Sequence, residues 1–581
     1  MPECGKPITA SNTPIMKQSQ RPVIYQLLPR LFSNTCPTPV HDGTIQQNGC
    51  GKLNGLNKES IFYIKSLGCN YIWLTGVIEH GHTTDYTQFG IRKHNPHVIK
   101  GKAGSPYAIS DYYDIDPDVA EDVPARMREF EECVKRIHDA GMKVVIDFVP
   151  NHVAREYLSD AAPEGVEDFG AGDNKDMFFS PSNNFYYITR QKFAPEIDLG
   201  SGDEAYEEYP ARATGNDCYT AFPGRNDWYE TVKLNYGVDP ANGSKHFNPI
   251  PPTWHKMLDI LYFWASKGVD AFRCDMVHMV PVEFWHWALR KVKEKYPHML
   301  FIAEIYDVAL YRPYIFDGGF DYLYDKVTLY DTLRAIETGN VSAACLTSCW
   351  QTVEGIGCHM LNFLENHDEQ RFASAQYAGD ASRVLPSLVV SATMGTGAMM
   401  VYFGQEIGEP AADAEGFSGR DGRTTIFDYW SIEKVRRLYN GGKCDGKLMP
   451  DEEKLLESYM RVLNLINSED SIRKGAFFDL MYVNYDNPSF NPHRQYAYLR
   501  SCDNSTALII VNFDNKDVDV AVNMPRHAFD VLGIAPQQGR ATELLSGSTL
   551  DVCLSPSEPA RCRLKAHGAV ILRFNHPLTK R

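Results

Sequence analysis

The chain has 581 residues, which is enough for about three domains or for one large domain with additions. Hydrophobic residues make up 43% and charged residues 23% of the sequence, as is usual for a globular protein, so a disordered chain and a small disulfide scaffold are excluded. The formal net charge of −16 would repel a phosphate backbone, so nucleic acid is not expected as a partner.

The start of the chain predicts no membrane segment. Residues 1–20 are polar, lack the hydrophobic core of a signal peptide and are interpreted as a leader. No run approaches the ~18–20 apolar residues of a transmembrane helix. The 14 cysteines form no C-x-x-C pair, and reduced cysteines together with the missing signal favour the cytoplasm. Processing of a longer precursor would instead allow a periplasmic or surface location, and the sequence gives no oligomeric state.

Short β-rich runs recur between helical stretches along the first 400 residues. By length and β-branched content each is typical of a buried parallel strand. Eight such runs are predicted, at 22–28, 70–75, 143–149, 269–275, 299–304, 320–324, 359–366 and 398–404.

The segments between these runs have helical periodicity. After Val123, for example, the apolar residues Met127, Phe130, Val134 and Ile137 are spaced by three and four. Eight rounds of strand and helix predict an α/β fold, the (β/α)8 TIM barrel. Its active site is then expected at the C-terminal ends of the strands.

Two segments depart from a plain barrel. After His152 the chain runs through more than eighty residues rich in Gly, Pro, Asp, Asn and Tyr, too long for an ordinary loop. Alternating strands follow a helix at 451–467 and predict a C-terminal antiparallel β-sandwich. The predicted domains are a barrel of 21–152 and 236–474, an inserted subdomain of 153–235, and a sandwich of 475–581.

Four strand ends carry polar residues that would be costly to bury without a partner. They read D-F-V-P-N-H (147–152), F-R-C-D (272–275), I-A-E (302–304) and E-N-H-D (365–368). In a barrel they meet at one mouth, where three of them supply carboxylates. Paired carboxylates flanking one bond are what glycoside hydrolysis requires, so the mouth suggests a sugar substrate.

At this point the sequence resembles the α-amylase family of retaining glycosidases, glycoside hydrolase family 13. The four strand ends resemble its signature regions in the right order. V-K-L-N (232–235) resembles its fifth region, in the form typical of neopullulanase and cyclomaltodextrinase relatives, and V-Y-F-G-Q-E (401–406) resembles the segment on its eighth strand. The resemblance extends from about Arg21 into the C-terminal sandwich.

The resemblance implies a role for each residue of the mouth. Asp275 is expected to be the nucleophile and Glu304 the acid/base, whereas Asp368 would bind sugar hydroxyls and favour the distorted transition state. The expected substrate-binding residues are Tyr107, which would stack on the sugar, together with His152, Arg273, His367 and Arg423.

Two further positions are less decisive. Asn151 resembles the asparagine that ligates a structural calcium in the family, but Met279 stands where many calcium-binding members have histidine, so the ion stays open. Arg423 resembles an arginine that pairs, in exo-acting relatives, with an aspartate three residues before the stacking tyrosine. Here that position is Gly104, so the usual exo-type closure is not expected, and a salt bridge within the loop is the alternative for Arg423.

The function predicted is retaining hydrolysis of α-glucosidic, mainly α-1,4, bonds in starch-like oligo- and polysaccharides. No organic cofactor is expected, and the partner is the α-glucan substrate. A glucanotransferase or a sucrose-active enzyme is the alternative among enzymes. A catalytically silent glycan-binding or partner subunit is the alternative outside enzymes, and the complete set of carboxylates speaks against it.

Overall fold

The computed structural model describes residues 20–576, and the predicted polar leader lies outside them except for Gln20. Within this range, no helix is both long and apolar enough to span a bilayer. The thirteen cysteines of the described part are free thiols. The compartment stays a prediction.

Eight parallel strands close into a barrel, which confirms the predicted fold class. The first strand pairs with both the second and the eighth, for example Val23 with Met399. The strands are Val23–Leu27, Tyr71–Leu74, Lys143–Phe148, Ala271–Cys274, Leu300–Ala303, Tyr322–Tyr324, Met360–Asn362 and Ala398–Tyr402. All eight coincide with predicted runs, because buried parallel strands are continuously apolar.

The helix Arg126–Asp139 illustrates how the helices around the barrel cover it. Phe130, Val134 and Ile137 are buried on one face, and each contributes about 1.5–3 kcal/mol by leaving water. The helix ends before Gly141, whose φ of +73° suits glycine. The other α-helices are Pro29–Phe32, Ile45–Asn48, Lys58–Ser66, Pro252–Ser266, Val282–Lys295, Val308–Phe316, Asp331–Glu337, Leu346–Thr352, Leu385–Thr393, Glu433–Tyr439, Pro450–Ser468, Asp470–Lys474 and Arg526–Leu532.

Two loops at the C-terminal ends of the strands carry structure of their own. After the second strand, Ile78–His80 pairs with Ile109–Ile115. After the third, an antiparallel pair of strands holds the inserted segment at its two ends, and a second pair lies within it. These strands are His152–Ala154 with Thr231–Lys233, and Tyr187–Ile188 with Ala211–Arg212.

The end of the chain forms antiparallel sheet, as predicted. Six strands form one sheet, in the order Ala476–Asp479, Gln495–Cys502, Ser505–Asn512, Gly568–Asn575, Arg540–Glu543 and Thr549–Asp551. Val518–Val522 and Ala560–Leu564 form a second, two-stranded sheet. Buried residues of this region and of the barrel belong to one continuous hydrophobic core. The domain boundaries themselves stay a prediction.

Candidate active site

Arg273 lies at the centre of the barrel mouth and is completely buried. It stands on the fourth strand, in register with Asp147 of the third. One guanidinium nitrogen lies 2.7 Å from Asp275 Oδ1, and the other lies 2.7 Å from Glu304 Oε2. Two carboxylates from different strands therefore share one cation, as the convergence of strand ends predicts.

Glu304 has the surroundings of a carboxyl group that keeps its proton. It accepts hydrogen bonds from the Tyr306 hydroxyl at 2.5 Å and from the backbone N–H of Met276 at 2.9 Å. Burial, followed by the charges of Asp275 and Asp368, raises the pKa of Glu304 to about 7 against the opposing effect of Arg273. At neutral pH this carboxyl group can act as a proton donor.

Asp275 directly follows the fourth strand, beside that donor. Burial raises the pKa of Asp275, while Arg273 and a hydrogen bond with Glu304 act to lower it. The next residue, Met276, has a left-handed backbone with φ of +43°, which is strained for a side chain of this kind. In this conformation the Met276 N–H donates to Glu304. The residue that follows Asp275 therefore fixes the position of the Glu304 carboxyl group relative to Asp275.

Asp368 lies at the rim and is held by its neighbour. Its Oδ2 is 3.0 Å from His367 Nε2, and His367 Nδ1 lies 2.8 Å from the Gln26 amide nitrogen. Because the amide nitrogen can only donate, Nδ1 accepts and Nε2 carries the proton towards Asp368. Burial acts to raise the pKa of Asp368, but His367, Arg273 and Arg423 outweigh it and lower the pKa to about 2. Asp368 is therefore ionised over the neutral range.

Tyr107 forms one wall of the mouth. Its ring stacks on His367 with centroids 5.0 Å apart, and its hydroxyl donates to Asp147 Oδ1 at 3.3 Å. Asp147 also accepts from the Trp73 indole at 2.9 Å and lies 3.5 Å from Arg273. Asp147 was not predicted as a site residue. Its place at the start of D-F-V-P-N-H, one of the four polar strand ends, is the sequence signal that could have identified it.

A cavity of about 300 Å³ opens above the three carboxylates. Tyr306, which lies in it, is two residues beyond Glu304, and this spacing was a readable signal. Four other lining residues have no signal in the sequence, because they come from long loops: Lys100, Trp228, Glu230 and Phe427. The whole lining is Lys100, Ser105, Tyr107, His152, Trp228, Glu230, Thr231, Asp275, Met276, Glu304, Tyr306, Asp368, Ile426 and Phe427.

His152 and Asn151 lie between the barrel and the inserted segment. Burial, then the charge of Lys233, lowers the pKa of His152 to about 3, so the ring is neutral and can donate one hydrogen bond. Asn151 donates to Gly215 O at 2.7 Å and accepts from the ammonium group of Lys233.

The arrangement around Asn151 does not fit a calcium ion. The Lys233 ammonium lies 2.7 Å from Asp217 Oδ1 and 3.2 Å from the carbonyl oxygen of Met279, besides its contact with Asn151 Oδ1. Amide, carboxylate and carbonyl oxygens are the ligands that calcium prefers. Here they surround a buried positive charge of the chain itself, which would repel a metal ion at the same place.

Arg423 is paired within its own loop. Its side chain is 44% exposed and lies 3.4 Å from Asp421 Oδ2. At Gly104 the backbone has φ of +74°, and a Cβ there would approach Gly81 O to 1.6 Å. This conformation excludes the aspartate that would complete the exo-type pair.

Comparisons with known proteins point to one family. The family described as alpha amylase, catalytic domain, matches residues 26–444. An alpha-amylase of Haloarcula japonica is 25% identical over 79% of the chain, and Neopullulanase 2 of Thermoactinomyces vulgaris is 24% identical over 67%. The matches cover 52% and 57% of those proteins, so the chain spans about half their length.

A cyclomaltodextrinase of Thermoanaerobacter pseudethanolicus is 20% identical over 88% of the chain and 73% of its own length. Among solved structures, a maltogenic alpha-amylase from Thermotoga neapolitana has a TM-score of 0.61 at 19% identity. That comparison covers 96% of this chain and 99% of the other, and it shows a common fold.

A closed barrel with clustered carboxylates at its mouth defines the class of barrel glycosidases. Within that class, the chain belongs to the α-amylase family, whose catalytic domain covers most of its length. The relatives it matches are enzymes by name, which favours an enzyme over a silent partner subunit.

Proposed function

We propose that the protein is a retaining glycosidase that hydrolyses α-glucosidic, mainly α-1,4, bonds of starch-like oligo- and polysaccharides. The observation that carries the mechanism is the shared guanidinium. Asp275 and Glu304 each lie 2.7 Å from Arg273, and a hydrogen bond between the two carboxyl groups contributes to the pKa of Asp275. This closeness supports a retaining mechanism, whose carboxyl groups stand about 5–5.5 Å apart, over an inverting one, whose carboxyl groups stand about 6.5–9.5 Å apart.

The first step forms a covalent intermediate. A carboxylate oxygen of Asp275 attacks the anomeric carbon while the glycosidic C–O bond breaks, and Glu304 gives its proton to the departing oxygen. In the second step a water molecule attacks the same carbon. Glu304 accepts the water proton, the bond to Asp275 breaks, and the sugar leaves with its original configuration.

The remaining residues of the mouth serve binding and orientation in this proposal. Ionised Asp368 would accept hydrogen bonds from sugar hydroxyls, and neutral His152 would donate one. Tyr107 would stack on the sugar ring at the cleavage site. Arg273 holds Asp275 in its ionised form and fixes the angle between the two reacting carboxyl groups.

Hydrolysis and transglycosylation differ only in what attacks the intermediate. Because water and a second sugar compete for the same glycosyl-enzyme, some transfer is expected at high sugar concentration. The relatives named neopullulanase, cyclomaltodextrinase and α-amylase support α-glucan as the substrate.

The stereochemistry of the first product tests the proposal. Proton NMR during maltoheptaose hydrolysis should show the α-anomer first, with the β-anomer growing by mutarotation. Asp275→Asn, which keeps the shape of the side chain, should lower kcat by at least about 10⁴-fold with the circular dichroism spectrum unchanged. Initial β-anomer, or a variant within tenfold of wild type, contradicts the mechanism.

A further inference from the structure

An ion pair between two distant loops forms part of the wall of the catalytic cavity. Lys100 Nζ lies 2.7 Å from Glu230 Oε1, and both residues line the same cavity as the three carboxylates. The side chains are only 13% and 5% exposed. Removing both from water is costly, so such a pair persists where its geometry is fixed from several sides.

Three separate segments fix this geometry. Lys100 belongs to the loop after the second strand, Glu230 to the end of the inserted segment, and Phe427 to the loop after the eighth strand. The Lys100 ammonium lies 5.5 Å from the centre of the Tyr229 ring and 6.0 Å from that of Phe427. The N–H of Ala103 donates to Phe427 O at 2.9 Å, which joins two of these loops directly.

The position of the pair along the cavity follows from its neighbours. The ring of Trp228, two residues before Glu230, lies 5.2 Å from the ring of His152, and the charge of Lys100 contributes to the lowered pKa of His152. Tyr306 and Met276 instead contact Glu304, the proton donor to the leaving group. The loop that carries Glu230 thus packs on His152, whereas the residues that contact Glu304 come from other segments, and this places the pair with the groups that would bind the retained sugar.

We propose that the Lys100–Glu230 ion pair closes the retained-sugar side of the cavity and that the Lys100 ammonium donates hydrogen bonds to hydroxyls of a terminal glucosyl unit, so that the hydrolase acts from the chain end. This inference rests on the proposed function. A cavity of about 300 Å³ is at the small end for ligand sites and suits one short stretch of glucan. The Lys100–Glu230 pair would close the cavity in place of the exo-type arginine–aspartate pair, because Gly104 stands where that pair has its aspartate.

Two forms of maltoheptaose distinguish the outcomes. One is unmodified, and the other has its non-reducing terminal glucose blocked by a 4,6-ethylidene group. Wild-type enzyme should consume the free substrate at least about tenfold faster than the blocked one. The blocked terminal glucose loses its hydrogen bond from the Lys100 ammonium, and its added group does not fit the closed end of the cavity. Chromatography of the remaining substrate measures both rates.

Uncharged variants test the residues themselves. The double variant Lys100→Met with Glu230→Gln should reduce the free-to-blocked rate ratio about tenfold and raise KM for the free substrate by a similar factor. The matched control is Lys192→Met with Glu207→Gln, which removes an exposed ion pair of 2.6 Å on the inserted segment. The control should keep the wild-type ratio.

Each failure has its own meaning in this design. If wild type consumes both substrates at equal rates, the α-glucan hydrolase stands and the chain-end inference is overturned. If neither substrate is consumed, the proposed function itself fails. If the folded double variant keeps the wild-type free-to-blocked rate ratio, Lys100 and Glu230 do not close the cavity. If that variant does not fold, the free-to-blocked rate ratio of the wild type decides whether the enzyme acts from the chain end.

Discussion

Arg273 organises the mouth through contacts that no single strand could provide. Its guanidinium reaches Asp275 just after its own strand, Glu304 just after the fifth and Asp147 on the third. Its Nε lies 3.2 Å from the Tyr324 hydroxyl on the sixth. Five donors in a planar fork allow this, whereas a lysine would offer one point charge. The separation of roles between Asp275 and Glu304 thus depends on one side chain that contacts both reacting carboxyl groups.

The proton on Glu304 can be tested with leaving groups of different quality. Glu304→Gln should abolish hydrolysis of maltooligosaccharides, because the glycosidic oxygen needs protonation, yet α-glucosyl fluoride should still glycosylate Asp275. Mass spectrometry of the intact protein would detect the added glucosyl unit. Asp275→Asn is the matched control and should give no adduct. Equal loss of both substrates in Glu304→Gln would assign the acid to another residue.

The hydroxyl of Tyr306 gives a prediction about pH. Its hydrogen bond acts to lower the pKa of Glu304, which burial raises to about 7. Activity requires protonated Glu304, so kcat should fall as pH rises through about 7. Tyr306→Phe removes the lowering contact and should move this alkaline limb to higher pH. A pH profile of kcat measures the shift, and Tyr314→Phe, outside the cavity lining, should leave the limb in place.

The sequence identified those site residues whose position follows from a strand end. Asp275, Glu304, His367 and Asp368 each follow an apolar run, and parallel strands bring such residues to one face. Lys100 and Glu230 are 130 residues apart in long loops, and nothing local marks them as neighbours. Their contact arises from how three loops pack, which is a property of tertiary structure rather than of spacing.

At the scale of elements, Lys233 connects the segment just after the third barrel strand, the inserted segment and the turn after the fourth strand. Its ammonium meets Asn151, Asp217 and Met279, one from each of these parts. We propose that this internal cation takes the place of the structural calcium that the resemblance implies at Asn151. The charge is supplied by the chain, so the link needs no ion from solution.

Metal removal and a point variant together test this link. EDTA should leave the activity and the melting temperature of wild type unchanged. Lys233→Met should destabilise the protein by about 1–3 kcal/mol, since it leaves the buried Asn151 Oδ1 without this donor, whereas Asp217 is 44% exposed and can be hydrated. Lys245→Met, which removes an exposed pair with Glu283, is the control and should have little effect. Strong inactivation of wild type by EDTA, reversed by calcium, would contradict the proposal. Urea titrations give the stabilities.

The elements differ in how readily the sequence predicts them. All eight barrel strands were predicted because buried parallel strands form continuous apolar runs. The short pair of strands Tyr187–Ile188 and Ala211–Arg212 was not predicted, since two-residue strands show no periodicity in the sequence. In the inserted segment, order comes instead from packing and charge, as with Glu208, which lies 2.8 Å from Arg155 and 2.7 Å from Arg212.

At the scale of the whole molecule, the C-terminal sheet is attached to the barrel by buried polar contacts. Arg500, on the strand Gln495–Cys502, donates to Met394 O at 2.7 Å and to Ile472 O at 3.1 Å. The Tyr498 and Thr393 hydroxyls are 2.6 Å apart. In the helix Leu385–Thr393, residues 386–393 are all buried, so the sheet covers apolar surface that the barrel alone would expose.

Loss of Arg500 should therefore weaken both parts together. Arg500→Met removes the side-chain donor of Met394 O and one of the two donors of Ile472 O, which Arg21 also reaches at 3.3 Å, and should lower the free energy of unfolding by about 1–3 kcal/mol. Activity and circular dichroism should be lost at the same urea concentration, because the two parts share one core. Arg526→Met, at an exposed pair with Asp530, is the control. If activity persists at urea concentrations well above those at which the circular dichroism signal of the sheet is lost, the barrel folds independently of the C-terminal sheet.

The pairing of Val23 with Met399 has a consequence for synthesis on the ribosome. The first strand emerges early, but one of its two neighbours is made about 376 residues later, which takes roughly 20–75 s at 5–20 residues per second. Until then one edge of the nascent sheet has no partner, and the apolar strand is open to wrong pairing or to chaperones. Codons or conditions that slow translation before Met399 prolong that exposure, so the yield of active enzyme should depend on elongation rate more steeply than its final stability suggests.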